Sequence, residues 1–293
     1  MKDAPLLHAI ELAAWQAVAL PVGALRPGGA RAVGRRLGDL LYLVLPERRR
    51  IAHRNLGLAL PELAAAERRR IARESFRTLG AASCDLIANR RLGPVAFCRR
   101  LTLEHWPRLA EAEARGRGLI VISAHFGFWE VAALSIGLYR GTFHVVGRPL
   151  DNPHLQRRLA AWRTRYGNQL LPKRGAARGV MRVLRERGRA GIVIDQRVHR
   201  SEGIRVPFFG HPATATPLAA QMAQRFEAPI APIFCYPEPG GRYRVVVREV
   251  LEPPIETAEV PAATERCLAV IEQEIRRAPG LWLWMHERWK EAG

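Results

Sequence analysis

Apolar residues in the first third of the chain recur at helical intervals. Over residues 31–45 they fall on one side of a helix and the arginines fall on the other, and Pro46 ends the pattern. A second helical pattern covers residues 64–89. We therefore predict a helical region over residues 1–95, ahead of the rest of the fold.

Residues 6–25 form an apolar stretch close to the roughly 20 residues that a membrane-spanning helix needs. His8, Glu11, Gln16 and Pro21 interrupt this stretch, and its composition also suits a helix packed on the core or lying in a membrane interface. The pattern leaves the spanning, the interfacial and the core-packed helix open.

After Trp106, short apolar runs alternate with helical patterns. The apolar runs predict strands at residues 119–123, 142–146, 191–194 and 230–236, and an alternating edge strand at 243–250. Helices are predicted at residues 129–138, 151–166, 176–187, 217–226 and 262–277. Strands joined by crossover helices are typical of an α/β fold with a mostly parallel central sheet flanked by helices. We predict this core over residues 96–293.

The net charge of the chain indicates the kind of partner that it binds. Lysine and arginine number 46 and aspartate and glutamate 27, so the formal net charge is +19, while 48% hydrophobic residues exclude a disordered basic tail. Such a surplus predicts a negatively charged partner: nucleic acid, a phospholipid surface, or an acidic protein or substrate. The four cysteines lack the spacing of metal ligands, and their distribution argues against a disulfide framework and favours a reducing, cytoplasmic environment.

Three ionisable residues follow predicted strands, where open α/β sheets place their reactive groups: His125, Arg148 and Asp195. On a regular helix His125 and Glu130 would point about 140° apart. If instead His125 lies in the turn between strand and helix and Glu130 lies in the first turn of the helix, the Glu130 carboxylate can reach the imidazole. The two residues would then form a general-base dyad. The alternative is a capping histidine beside a glutamate that complements the helix dipole.

Other residues admit two interpretations each. Arg148 could bind a phosphate, or it could pair with Asp151 or Asp195. Asp195 needs a partner if it is buried, and that partner could be Arg197 or Arg148.

Two further segments are also open to two interpretations. Residues 208–216 are predicted to form a loop and a helix start that either line an acyl channel or supply core aromatics and an N-cap. Residues 281–290, which carry Trp282, Trp284 and Trp289, could mark a membrane interface or form a final strand on the sheet.

The segment from His125 to Glu130 resembles the His-x-x-x-x-Asp/Glu motif of the glycerolipid and lysophospholipid acyltransferase superfamily. The residues between these two positions resemble those of the bacterial lipid A (lauroyl/myristoyl) acyltransferase branch of that superfamily. Further blocks resemble that branch in the same order along the chain. They are residues 147–153, 195–196, 206–210 with Thr214 and Thr216, and 284–290.

The resemblance implies a membrane-associated enzyme that moves a fatty acyl chain from acyl carrier protein to a hydroxyl of a lipid A-type glycolipid. It places this enzyme at the cytoplasmic face of the inner membrane, without a metal or other cofactor. The helical region over residues 1–95 would then dock the protein to that membrane. His125 would be the catalytic base, Glu130 its orienting partner, and Arg148 and Asp195 further active-site residues. The substrate-binding residues predicted with them are Gly127, Trp129, Phe208, Phe209, Gly210, Thr214, Thr216, His286 and Arg288.

The alternative functions differ either in the molecule that accepts the acyl chain or in the class of protein. The acceptor could instead be a phosphatidylinositol mannoside, a lysophospholipid or an aminoacyl lipid, or the protein could hydrolyse the acyl donor. A non-enzymatic protein that binds membranes or nucleic acid through its arginines is the remaining alternative. Since the arginines are dispersed and no nucleic-acid-binding motif is present, we expect no nucleic acid partner.

Overall fold

The computed structural model describes residues 5–254 and 256–290. Helices occupy the chain up to the first strand. Several of them begin with a proline, because the N–H groups of the first helical turn have no acceptor within the helix and the N–H that proline lacks is not needed there. Their bounds are α1 (Pro5–Val22), α2 (Pro27–Val44), α3 (Pro46–Ala59), α4 (Ala65–Ala88) and α5 (Pro94–Cys98). The helical patterns in the sequence therefore match α2 and α4 to within a few residues.

Helices α2 and α4 pack closely because glycines line their contact. A Cβ atom on Gly80 would collide with the carbonyl oxygen of Gly34, so the two backbones touch. At the edge of this contact Asp39 accepts hydrogen bonds from Arg73 at 2.6 Å and from Arg77 at 2.7 Å. The hydrogen bond from Arg77, with that from Arg73, lowers the pKa of Asp39 to about 2 although burial opposes the change.

A seven-stranded sheet forms the centre of the described chain. Its strands are β1 (Leu101–Glu104), β2 (Leu119–Ser123), β3 (Phe143–Gly147), β4 (Asn168–Pro172), β5 (Arg189–Val193), β8 (Ile230–Glu238) and β9 (Arg242–Val247). They lie in the order β1-β9-β8-β2-β5-β3-β4. Only the β8–β9 pair in this sheet is antiparallel, so the predicted α/β fold with a mostly parallel sheet is confirmed. The flanking helices are α6 (Pro107–Ala114), α7 (Trp129–Arg140), α8 (Pro153–Arg163), α9 (Ala176–Arg185), α10 (Leu218–Phe226) and α11 (Val260–Arg277).

Strand β9 is not the edge strand that its alternating pattern predicts. Strand β1 pairs with it in parallel, with Leu101 opposite Tyr243, and becomes the edge. The apolar pattern missed β1 and β4 because one mixes polar residues with two leucines and the other begins with Asn168 and Gln169.

Residues 204–215 form a two-stranded hairpin instead of the predicted loop and helix start. Strands β6 (Ile204–Phe208) and β7 (His211–Ala215) are joined by Phe209 and Gly210, whose φ angles of 53° and 73° are those of a tight hairpin turn. Thr214 therefore lies in a strand. Thr216 lies one residue before Pro217, the N-cap of the next helix, and its hydroxyl accepts the Leu218 N–H of that helix at 3.3 Å.

The N-terminal helices pack on the sheet in different ways. Helices α3 and α4 share the main core with it, where Leu56 and Phe76 belong to one apolar cluster with Phe234 and Trp284. Helix α1 has the length and hydropathy of a membrane-spanning helix, and only about a tenth of it is buried inside the protein.

Candidate active site

His125 lies just past the carboxyl end of β2, in a turn whose shape requires glycine. Gly127 has a φ of +54°, and a Cβ atom there would collide with the carbonyl oxygen of Cys235 in β8. The same oxygen accepts the Phe128 N–H at 3.0 Å. The turn is thus pinned to the neighbouring strand.

The C-terminal segment holds this turn from the other side. Gly127 N–H donates to the carbonyl oxygen of Leu281 at 2.8 Å, and Leu283 N–H donates to that of His125 at 3.1 Å. Residues 281–283 therefore pair with residues 125–127 in antiparallel fashion, as a short bridge rather than as the full final strand that alternation suggested. This pairing fixes the backbone that carries the imidazole.

Asp195 orients the His125 ring. Its Oδ1 lies 2.9 Å from Nδ1 of His125, while its Oδ2 accepts the His125 backbone N–H at 3.0 Å and the Trp282 indole N–H at 2.7 Å. Complete burial would by itself raise the pKa of Asp195. The charge of His125 and these hydrogen bonds outweigh that effect and lower the pKa below its usual value. The carboxylate therefore stays ionised and holds the proton of the neutral imidazole on Nδ1.

The structure brings Asp195, and not Glu130, to the imidazole. Both carboxylate oxygens of Glu130 instead accept from Nε of Arg163 in α8 at 3.0 Å. The register of the sheet explains the difference: Ser123 lies opposite Val193 in the parallel β2–β5 pair, so His125 and Asp195 each follow by two residues. Glu130 lies beyond the turn, in the first turn of α7, and faces α8.

Arg148 lies at the rim of the site, with an exposed side chain. Its guanidinium donates to Asp151 at 2.9 Å, which is one of the pairings that the sequence left open. The partners expected for Asp195 were arginines; the hydrogen bonds on its carboxylate come from His125 and Trp282.

The predicted aromatic residues of the acyl channel lie in the core. Phe208 is fully buried and stacks on Trp289, with ring centroids 5.6 Å apart, and Phe209 packs against Trp284. Arg288 is fully buried over Phe208 and donates to the Thr214 carbonyl oxygen at 2.7 Å. Burial lowers the pKa of Arg288 to about 10. These side chains therefore belong to the packed interior of the protein.

Two adjoining cavities open at this edge of the sheet. The first, of about 720 Å³, is lined by His125 together with the predicted residues Trp129, Arg148, Thr216 and His286. The second, of about 1050 Å³, is mainly apolar and lies between α1, α4 and α8. Trp129, Glu130 and Arg163 line both cavities and mark the junction between them.

Sequence analysis missed two residues of the site. Trp282 contacts Asp195, and Arg163 contacts Glu130. Neither pair forms a local sequence motif, because 87 residues separate the first two and 33 separate the second two. A weak signal existed for Trp282, since it belongs to the aromatic C-terminal segment. Within residues 5–254 and 256–290 no group of three or more His, Cys, Asp and Glu could hold a metal ion.

The chain is similar to known acyltransferases along most of its length. It is 26% identical over 262 residues to the lipid A biosynthesis lauroyltransferase of Escherichia coli strain K12, covering 87% of this chain and 83% of that protein. It is 28% identical over 184 residues to the phosphatidylinositol mannoside acyltransferase of Mycobacterium tuberculosis, covering 62% and 57%.

A crystal structure of the 1-acyl-sn-glycerophosphate acyltransferase of Thermotoga maritima aligns with a TM-score of 0.36 and 16% identity, covering 83% of this chain and 98% of that one. The model of the bacterial lipid A biosynthesis acyltransferase family matches residues 3–291, nearly the whole chain. The resemblance drawn from the sequence motifs is thereby confirmed, and the protein belongs to the bacterial lipid A biosynthesis acyltransferase family.

Proposed function

We propose that this acyltransferase moves a fatty acyl chain from the thioester of acyl carrier protein to a hydroxyl of a lipid A-type glycolipid, with His125 as the general base. One observation carries the proposal: Nδ1 of His125 lies 2.9 Å from the buried Asp195 carboxylate, and His125 lines the 720 Å³ cavity. This geometry leaves Nε2 as the ring nitrogen that can take a proton from a substrate.

The proposed reaction needs one proton carrier. Nε2 of His125 takes the proton of the acceptor hydroxyl while its oxygen attacks the thioester carbonyl carbon and forms a tetrahedral oxyanion. Collapse of that intermediate breaks the C–S bond, and the imidazolium returns the proton to the departing thiolate. Asp195 stabilises the imidazolium and remains ionised throughout, because the pKa of Asp195 lies below its usual value.

The apolar cavity supports a substrate with an alkyl chain. Its lining is dominated by apolar side chains such as Trp15, Leu79, Leu155 and Trp162, and its volume of about 1050 Å³ is large for a ligand site. Trp129 and the Glu130–Arg163 ion pair lie where it meets the catalytic cavity. An alkyl chain in the apolar cavity would therefore end beside His125, and we assign Glu130 the task of holding Arg163 at that junction.

Surface chemistry supports a membrane-bound enzyme with anionic partners. Large apolar side chains are exposed along both α1 and α2; they are Leu6, Leu7, Ile10, Leu20, Val33, Leu40, Leu43 and Val44. The net charge of +19 suits anionic lipid headgroups, a phosphorylated acceptor and the acidic acyl carrier protein alike. We place the protein at the cytoplasmic face of the inner membrane.

Contacts of α1 favour a helix that lies on the membrane over one that spans it. Asn152 donates to the carbonyl oxygen of His8 and to the Glu11 carboxylate, both at 2.9 Å, and Arg158 lies over the Trp15 ring at 5.1 Å. One face of α1 is therefore attached to the body of the protein beside the active site. Its other face presents the exposed leucines to the lipid.

A lipid A-type acceptor is favoured over a phosphatidylinositol mannoside by the extent of similarity. The chain matches 83% of the lauroyltransferase, but 57% of the mannoside acyltransferase. Both acceptors present a sugar hydroxyl on an anionic lipid, so the His125 chemistry is the same for both.

The experiment that tests the function is acyl transfer from acyl carrier protein to a lipid A precursor, followed by mass spectrometry. The wild-type protein should add one acyl chain, and His125→Ala should lose transfer by about 10³-fold or more while remaining folded. His199→Asn is the matched control, since the His199 side chain is exposed and its Nδ1 contacts the Ser201 hydroxyl at 2.8 Å. Full transfer by His125→Ala would remove His125 as the base, and transfer only to a mannoside acceptor would replace the proposed substrate.

A further inference from the structure

His286 lines the catalytic cavity together with His125, and the hydrogen bond on its ring determines which nitrogen carries the proton. The backbone N–H of Arg197 donates to Nε2 of His286 at 3.2 Å. A nitrogen that accepts a hydrogen bond needs its lone pair, so the proton of the neutral ring is on Nδ1. His286 is therefore a donor through Nδ1 and has no free basic nitrogen.

The backbone of His286 is held as firmly as its ring. Asn55 in α3 donates its side-chain amide to the carbonyl oxygen of His286 at 2.7 Å and to that of Trp284 at 2.8 Å. Asn55 is fully buried. The ring is thus fixed both from the N-terminal helices and from the loop that carries Asp195, as preorganised catalytic donors must be.

The charge state of His286 suits a donor rather than a second base. Burial lowers the pKa of His286 to about 4; the charges of His125, Arg288 and Arg197 act in the same direction, and only Asp195 opposes them. The imidazole is therefore neutral at physiological pH. A neutral ring donates a hydrogen bond without competing with His125 for the proton of the acceptor hydroxyl.

Two other side chains that line the cavity and can donate hydrogen bonds, Arg148 and Arg163, are less suited to an oxyanion. Arg148 is exposed at the rim and paired with Asp151, and Arg163 is paired with Glu130. Both would have to leave an ion pair to reach the reacting carbonyl. His286 needs no such rearrangement.

We propose that the Nδ1–H of His286 donates a hydrogen bond to the thioester carbonyl oxygen as that oxygen becomes the oxyanion. This role rests on the acyl transfer proposed above and adds a catalytic residue to it. No bond to His286 is made or broken: the proton stays on Nδ1, while the proton of the hydroxyl travels through His125. The expected loss on removal is that of a single oxyanion donor, about 10²-fold or more in kcat.

Two substitutions separate this role from a structural one. In His286→Asn the side-chain amide nitrogen can take the place of Nδ1, but nothing remains to accept the Arg197 N–H. In His286→Gln the amide oxygen can still accept that N–H, whereas no donor remains at the Nδ1 position. The donor role predicts a loss in kcat of about 10²-fold for His286→Gln and of less than about 10-fold for His286→Asn, with KM little changed.

The reverse order of the two variants would overturn the proposal, because it would mean that accepting the Arg197 N–H is what matters. Thermal unfolding of each variant shows whether it is folded, and ¹⁵N-histidine NMR of the wild-type protein provides a second readout that needs no activity. We expect the Nδ1–H tautomer of His286 throughout pH 5.5–8. An Nε2–H tautomer, or titration of His286 within that range, would overturn the proposal.

The outcomes also separate this inference from the function on which it rests. Loss of transfer in His125→Ala together with full transfer in His286→Gln would overturn the donor role and leave the proposed function in place. Absence of transfer by the wild-type protein would overturn both.

Discussion

The indole N–H of Trp282 donates to Oδ2 of Asp195 at 2.7 Å, and both side chains are only 1% exposed. The residues on either side of Trp282 pair with the backbone of the His125 turn. One short C-terminal segment therefore positions both the imidazole and the carboxylate that orients it.

Trp282→Phe removes this hydrogen bond and keeps most of the ring volume. We expect kcat for acyl transfer to fall about 10-fold with KM unchanged, since a hydrogen bond to a charged group contributes about 1.5–3 kcal/mol. Trp284→Phe is the matched control, because the Trp284 indole donates to the Pro279 carbonyl oxygen and not to Asp195. Equal effects of the two variants on kcat would show that Trp282 contributes only to packing.

Asp195→Asn and Glu130→Gln test which carboxylate serves His125. Asparagine can accept from Nδ1 but cannot stabilise the imidazolium, so we expect kcat to fall by about 10³-fold or more. Glu130→Gln weakens the ion pair with Arg163 at the junction of the cavities, and we expect chiefly a higher KM for the lipid substrates. Steady-state kinetics with both substrates varied measures both effects. A larger kcat loss in Glu130→Gln would reinstate Glu130 as the orienting partner.

Acid should destabilise the protein through His286. The unfolded chain takes up the proton near pH 6.5, whereas in the folded protein the pKa of His286 is about 4. The unfolded state therefore binds more protons between these values, and the free energy of unfolding falls as the pH drops from 6.5 towards 4, by up to about 3 kcal/mol.

Urea unfolding at several pH values checks this slope. His286→Asn should show a shallower slope over the same range, while His53, whose pKa is lowered by burial and by Arg49 and Arg69, contributes equally in both proteins. Parallel curves for the variant and the wild type would contradict the prediction.

Close contact between α2 and α4 should make Gly80 intolerant of any side chain. Gly80→Ala would force a methyl group into the Gly34 carbonyl, so we expect a loss of stability of about 2 kcal/mol or more. Gly57→Ala is the control, since Gly57 lies on the exposed face of α3 with nothing near its Cβ position. That variant should gain about 0.5–1 kcal/mol from helix propensity. Chemical unfolding of the two variants decides the matter, and similar values would disprove the close packing.

The apolar face of α2 should contribute to membrane binding. Leu43 and Val44 are 64% and 56% exposed, and replacing both with serine should weaken binding to anionic vesicles about 10-fold or more without lowering the melting temperature. Tyr139→Ser serves as the control because Tyr139, 40% exposed, lies at the far end of α7 from His125. Vesicle sedimentation at several salt concentrations gives the measurement. Unchanged binding of the double variant would place the membrane contact elsewhere.

Local patterns were enough to predict the fold class and most of the elements. A buried parallel strand is a continuous apolar run, and a helix at the surface repeats its apolar face every three to four residues, so β2, β5, α2 and α4 can be recognised one segment at a time. Strands β1 and β4 escaped because their polar residues hide this signal, and the β6–β7 hairpin because its turn is formed by a phenylalanine and a glycine.

The sequence by itself determined that the chain is an α/β acyltransferase with a histidine at the end of its first buried strand. It also determined the basic surface and the motif from His125 to Glu130. Tertiary structure alone decided the partners. Asp195 reaches His125 because β5 is the neighbour of β2 in a fixed register, and Trp282 reaches Asp195 because the C-terminal segment crosses the His125 turn. Such contacts depend on which distant segments pack together, and spacing along the chain carries no information about that choice.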